Sequence, residues 1–247
     1  MSTSQVDRLG ERLRGTEVLS EDDLALLQRF RAEHEAALIE VQARLERAIP
    51  GVAQAARIKT IQTLHDKLRR QPTKLSRIQD IAGVRIVGDM DLASQDAMVA
   101  SIAREFAKAR VIDRRAHPTF GYRAVHIIVK VGRCSCEVQV RTIPQHLWAE
   151  IVERLADLWG RDIRYGGSPE QRGTRVGDLT RQGLWELIRG VSDQMHALEE
   201  AAADQNLAVE AGDAPPGLEH VDLEQARRDT RDVLAKLRDF LESGATL

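Results

Sequence analysis

Asp80-Ile81-Ala82-Gly83-Val84-Arg85-Ile86-Val87 sets one carboxylate and one guanidinium into an apolar, largely β-branched run. Ile81, Val84, Ile86 and Val87 predict a buried strand over about 82–88. An acid at the mouth of a buried strand is costly unless it holds a cation or a partner. Taken alone, the pair also reads as an Asp cap followed by an arginine that snorkels. Two further stretches bear on the choice, Arg57 to Arg70 upstream and Gly121 to Thr142 downstream.

Upstream, Ser20 followed by Glu21-Asp22-Asp23 is a helix start, with a hydroxyl cap and acids in the first turn. Leu24, Leu27, Phe30, Ala37, Leu38, Val41, Leu45 and Ile49 recur near helical spacing. They predict a helix over 21–48, ended before Pro50-Gly51. Residues 1–19 have weak periodicity and read as loosely packed. After a short Ala-rich lead-in, Thr60 caps a second helix running to about Arg70 and stopped by Pro72. Thr63, Lys67 and Arg70 share one face of it, and Leu64 and Leu68 lie on the buried side. With Lys59 these donors line one groove and suit a polyphosphate. The alternative for such a stripe is a solvated basic face.

Downstream, Asp91 to Lys108 reads as a helix with Met98, Val99, Ile102 and Phe106 toward the core, and Ala109 to Asp113 as a short strand. Gly121 to Val131 partly alternates, with Tyr122, Ala124, His126, Ile128 and Lys130 on one face. Gly132-Arg133 is a tight turn, and Ser135 to Arg141 is the antiparallel mate. There Glu137, Gln139 and Arg141 share one face, and Cys136, Val138 and Val140 the other. Pro144 opens a helix to about Trp159. Residues 160–177 read as a mobile loop, Asp178 to about Ala203 as helix, and Ala211-Gly-Asp-Ala-Pro-Pro-Gly217 as a linker. Val221 to Glu242 reads as a terminal amphipathic helix. The fold class expected is α/β (α+β): a mixed β-sheet core flanked by N- and C-terminal helices. Its parts are an N-terminal helical segment over 1–50, a core over 51–160 and a C-terminal helical region over 161–247.

The chain has 247 residues, 43% hydrophobic and 30% charged, enough for a substantial core. Its net charge of −2 excludes a global basic field for nucleic acid or a membrane surface. The charge is uneven, however. From Arg57 to Arg85 the ionisable residues are mostly basic, which suits a small polyanion. No apolar run reaches membrane-span length, and the N-terminus lacks a signal-peptide core. Cys134 and Cys136 are one residue apart, where a disulfide would be badly strained. Free thiols imply a cytoplasmic protein.

Four motifs occur in order: Arg57-x-Lys59-x-x-x-Thr63-x-x-x-Lys67, Asp80-x-x-Gly83-x-Arg85, Gly121-Tyr122-Arg-Ala-Val-His126 and Glu137-Val-Gln139-Val-Arg141-Thr142. Over about residues 55–160 this resembles the synthetase domain of the RelA/SpoT family. Only a helix lies upstream, so the resemblance is to a small, stand-alone alarmone synthetase. It implies a nucleotidyltransferase-like fold and transfer of pyrophosphate from ATP to the 3′-hydroxyl of GDP or GTP, with Mg²⁺. Carried over by position, Asp80 and Glu137 hold the Mg²⁺, and Glu137 draws the proton off the attacking hydroxyl. Arg57 and Arg85 sandwich the adenine, a stacking role that Lys does not replace. Lys59, Thr63, Lys67 and Arg70 contact the ATP phosphates. Tyr122 stacks on the guanine, with His126 on the same strand face.

Without the motifs, Tyr122 reads as an ordinary strand aromatic and His126 as a core histidine. Gln139 and Arg141 read as sheet braces, His146 and Trp148 as helix packing. Glu150 reads either as a carboxylate behind the site or as a solvated helix acid. The chain departs from the family at Thr63, where Ser is usual. It also reads His117-Pro-Thr-Phe120 where a Lys often precedes Gly-Tyr, and Glu153-Arg154 where Glu-His is common. Two alternatives follow: a toxin-like enzyme acting on the 3′ end of tRNA, and a catalytically silent nucleotide-binding protein. Arg161, Arg164, Arg172, Arg175 and Arg181 could form the basic patch that tRNA requires, or simply a solvated loop. The terminal helices are expected to mediate a homo-oligomer, or the last helix to fold back on the helix over 21–48.

Overall fold

The computed structural model describes residues 1–15, 18–167, 175–176, 179–211 and 223–243. Its contacts divide the chain into two units. The first comprises Met1–Ile86, Met98–Ile112 and His126–Val140; the second comprises Val87–Ala97, Asp113–Val125 and Arg141–Leu247.

The first unit opens with a helix that the sequence reading took for a loose segment. α1 (Thr3–Arg14) starts at Ser2, whose side chain forms a reciprocal capping box with Gln5. Val6, Leu9 and Leu13 are buried. They join Leu27 and Phe30 of α2 (Glu21–Ala48), Leu64 and Leu68, and Leu75, Ile78 and Ile81 in one hydrophobic cluster. Three apolar positions make a stripe too narrow to stand out in sequence. Gly10 compensates by close approach, since a Cβ there would lie 2.6 Å from the Cβ of Leu75. α2 has the expected bounds, with the Asp23 amide donating to Ser20 Oγ at 3.2 Å.

A second correction is β1 (Gln54–Ile58), where only an Ala-rich lead-in was read. It pairs antiparallel with β2 (Ala82–Gly88). β1 is an edge strand with Ala55, Ala56 and Arg57 exposed, so it carries no apolar alternation. α3 (Ile61–Arg70) is capped by Thr60 and buries Leu64 and Leu68, as expected. α4 (Leu92–Arg104) is shorter than read, with Val99 and Ile102 buried and Phe106 buried just beyond its end.

β3 (Arg110–Asp113), β4 (Val125–Val131) and β5 (Cys134–Thr142) complete a mixed five-stranded sheet of order β1-β2-β5-β4-β3. β4 starts four residues later than read, so Tyr122 lies outside the strand and shares no strand face with His126. Val125 to Val129 are all buried, because β4 is an inner strand covered on both faces. β5 alternates as expected, with Cys136, Val138 and Val140 buried. Cys134 and Cys136 are free thiols.

The second unit is mainly helical. α5 (Ile143–Trp159) is capped by Thr142, which makes a capping box with Gln145. Past Gly160 a short 3-10 helix, Arg161–Tyr165, buries Ile163 fully, where the sequence predicts part of a mobile loop. Residues 168–174 and 177 of that expected loop, and Asp178 at the expected start of the next helix, lie outside the described residues, as do residues 212–217 of the expected linker. Two short strands, β6 (Arg175–Val176) and β7 (Leu179–Thr180), pair antiparallel. α6 (Arg181–Ala211) starts later and runs further than read, since no breaker occurs before Gly212. α7 (Leu223–Glu242) packs on α5 and α6 of its own chain, burying Leu234 and Leu241 among Leu147, Ile151, Leu155 and Trp185. α5 and α6 of the same unit thus cover part of its stripe. No described helix is long and apolar enough to cross a membrane.

Candidate active site

The β1–β2 register sets the first pair of site residues. Arg57 stands opposite Gly83, and Ala55 opposite Arg85. Opposed residues share a face, as do neighbours two apart on one strand. Arg57 and Arg85 therefore lie on one face, a diagonal step apart, and each faces a residue with little or no side chain.

The pairing continues one residue past β1, where the Lys59 amide donates to the Ile81 carbonyl at 2.8 Å. Lys59 thus arrives beside Asp80, its Nζ 3.1 Å from Oδ2. α3 brings a second ammonium: Lys67 Nζ donates to both Asp80 oxygens, at 2.8 and 2.9 Å. Thr63 lies one turn earlier and donates its hydroxyl to the Thr60 carbonyl at 2.8 Å. Arg70 is exposed in the last turn of α3. Burial opposes ionisation of Asp80, and Glu137 adds to that opposition. Lys59 and Lys67 outweigh both and hold the carboxyl below its usual range.

Glu137 projects from β5 between two partners. His126 Nδ1 donates to Oε2 at 3.2 Å, and Gln139 Nε2 donates to Oε1 at 2.6 Å. Burial works against its charge, but His126, Gln139 and Lys59 bring the carboxyl down to about 2. An ionised carboxylate only accepts, so the Nδ1 proton must sit on His126. The buried Cys136 thiol, next in sequence to Glu137, is pushed up to about 12, first by burial and then by that charge. The first unit thus gathers Lys59, Lys67, Asp80, Glu137 and His126 into one electrostatic group. Gln139, read only as a sheet brace, orients the central carboxylate, and its place two residues after Glu137 on β5 is the signal for that role.

Tyr122 belongs to the second unit. Arg141 Nη2 donates to its hydroxyl at 2.8 Å, and the guanidinium carbon lies 5.0 Å from the ring centroid. Trp148 is buried helix packing, as read, with Nε1 donating to the Ile188 carbonyl at 2.8 Å. His146 and Glu150 pair with each other at 3.2 Å, and Glu150 also meets Arg238 at 3.5 Å. Glu150 thus bridges α5 to α7. Glu153 pairs with Arg164 at 3.6 Å, and Arg154 Nε donates to the Leu241 carbonyl at 3.2 Å. Arg181 lies over the Trp159 ring. Two members of the proposed tRNA patch are thus occupied with protein partners; Arg172 lies outside the described residues.

A family profile for the region found in RelA / SpoT proteins matches residues 56–156. An uncharacterized protein of Mycobacterium tuberculosis, Rv1366, is 38% identical over 190 residues, 76% of this chain and 68% of that one. The GTP pyrophosphokinase YwaC of Bacillus subtilis is 25% identical over 126 residues, 44% of this chain and 59% of that one. The crystal structure of small alarmone synthetase 1 from Bacillus subtilis matches with a TM-score of 0.55 at 20% identity, covering 75% of this chain and 98% of that one. The same enzyme bound to its product pppGpp matches with a TM-score of 0.54. The chain belongs to the RelA/SpoT family, and its mixed sheet with flanking helices is the fold of that family's small alarmone synthetases.

Proposed function

We propose that the protein transfers pyrophosphate from ATP to the 3′-hydroxyl of GDP or GTP in a Mg²⁺-dependent reaction. The observation that carries this reading is the pair of ionised carboxylates, Asp80 held by Lys59 and Lys67 and Glu137 held by His126 and Gln139. Arg57 and Arg85 sandwich the adenine. Lys59, Thr63, Lys67 and Arg70 take the phosphates, and Tyr122 and His126 serve the guanosine side.

The donor set suits the metal. A hard cation such as Mg²⁺ takes one or two carboxylates and completes its shell with phosphate and water. Among the described residues no three His, Cys, Asp or Glu side chains gather into a larger cage. When bound, the ion would neutralise charge on the transferred phosphates. Asp80 and Glu137 would hold it.

In the transfer the 3′-oxygen attacks the β-phosphorus, the bond from that phosphorus to the bridging α–β oxygen breaks, and AMP leaves. A carboxylate with a pKa of about 2 is a poor acceptor for the hydroxyl proton near neutral pH. Bound phosphates would ease this in part, by their own negative charge and by drawing Lys59 toward themselves, while His126 and Gln139 keep their hold on Glu137. Glu137 remains the carboxylate proposed to take the proton.

The protein is expected to work in the cytoplasm as a homo-oligomer through its terminal helices. Incubation with ATP and Mg²⁺ plus GDP, GTP or deacylated tRNA, followed by product separation, tests the acceptor. A 3′-pyrophosphorylated guanosine nucleotide supports the proposal. Labelled tRNA alone, or no product with any acceptor, rejects it in favour of a tRNA-directed or silent protein.

A further inference from the structure

The loop that carries Tyr122 is held in an uncommon backbone shape. Phe120 has φ +54° and Gly121 has φ +87°. Both lie in the left-handed region, which disfavours a residue such as Phe. A Cβ on Gly121 would lie 2.7 Å from the Trp148 ring, so only glycine fits there. Something must hold this shape, and the holding groups come from α6.

Ser192 is fully buried on α6. Its hydroxyl donates to the Gly121 carbonyl at 2.5 Å and accepts from Arg123 Nε at 3.1 Å. The same Nε–H reaches the Ser192 carbonyl at 3.2 Å. One hydroxyl, acting as donor and acceptor together, therefore ties down the residues on both sides of Tyr122. Arg123 is only 5% exposed. Its Nη2 donates to Asp193 Oδ1 at 2.6 Å, and its Nη1 donates to the Arg115 carbonyl. A guanidinium with this many protein acceptors is a brace, not a ligand for phosphate. One turn earlier on α6, the Ile188 carbonyl holds the Trp148 indole against Gly121.

We infer that Ser192, backed by Asp193, is a positioning residue for the acceptor nucleotide, fixing Tyr122 through Gly121 and Arg123. The inference rests on the reading that Tyr122 meets the guanine. It adds a helix outside the family-matched residues 56–156 to the acceptor machinery. It also gives α6 a part in the function that composition and motif spacing did not assign.

Ser192→Ala removes both hydroxyl hydrogen bonds. Asp193→Asn is the safer variant, because the Asp193 side chain is 70% exposed and its loss leaves the core intact. Ser192→Ala is expected to raise the KM for the guanosine acceptor about tenfold, the scale of one buried hydrogen bond, with the KM for ATP unchanged. Asp193→Asn should shift it the same way by about threefold, the scale of one exposed charged contact. Hydrogen exchange of the full-length protein gives a second readout, with amides 119–124 exchanging faster in both variants and those of α3 unchanged. Equal losses on the ATP and acceptor sides would mean general damage and overturn the inference. Unchanged acceptor KM with unchanged exchange at 119–124 would overturn it too. If the wild-type protein transfers to no guanosine acceptor, the proposed function fails on its own. The exchange arm still decides the tether: faster exchange confined to 119–124 supports it, and no change overturns it.

Discussion

Glu137 is a carboxylate whose environment is strongly tuned. Its carboxyl stands at about 2 against an ordinary 4.5. A depressed folded-state pKa contributes stability that is complete above the unfolded value and is lost as pH falls through the folded one. The window is therefore from about 4.5 down to about 2. Asp80 is shifted in the same direction and adds to the loss. Urea midpoints across that range should fall more steeply for wild type than for Glu137→Gln, by on the order of 3 kcal/mol in total. Parallel curves would show that Glu137 gains no net favour from His126, Gln139 and Lys59. The arginine pair offers a separate check. Arg57→Ala and Arg85→Ala should each weaken ATP binding by about 1–2 kcal/mol in calorimetry, the range of a partly desolvated cation–π contact. Unchanged affinity in both variants assigns these arginines to the sheet alone.

At the scale of elements, the docking of α1 turns on Gly10. Replacing an interior helix glycine by alanine ordinarily favours the helix by about 1 kcal/mol. Here the new methyl would stand 2.6 Å from the Leu75 Cβ, which cannot swing aside. Overpacking of this kind costs about 1–3 kcal/mol, so the clash wins. Gly10→Ala should lower the urea midpoint; a raised midpoint would mean α1 is not seated as described. The same helix shows where sequence reading runs out. Strongly periodic stretches were legible: α2, the Thr60-capped α3, the β4–β5 hairpin and the Pro144 helix start. α1 was not, because its partners Leu64 and Leu75 lie far along the chain. β1 was not, because an exposed edge strand of Gln, Ala and Arg has no apolar face to alternate. At the candidate site, the motif resemblance pointed to Lys59, Lys67, Asp80 and Glu137, which folding brings together. It could not supply Ser192, since a lone helix serine becomes informative only when folding sets it against Gly121 and Arg123.

At the scale of the whole molecule, α7 covers part of its apolar stripe within its own chain, yet Val233 is 64% and Phe240 46% exposed. These two stand two turns apart on one helix face. They are the surface we propose for a homo-oligomer contact. Light scattering should give a multiple of the 27.6 kDa chain mass, falling when Val233 and Phe240 are both replaced by Ser. A full-length monomer at micromolar concentration would remove this expectation while leaving the chemistry untouched. The chemistry itself is tested most directly by phosphorus NMR of ATP, Mg²⁺ and GDP mixed with wild type, Asp80→Asn or Glu137→Gln. The account expects wild type to form AMP and a guanosine 3′-pyrophosphate in equal amounts, and both variants to form neither while keeping the wild-type fold by circular dichroism. ATP left intact by the wild type, cleavage to ADP and phosphate, or near wild-type turnover in both variants would contradict it.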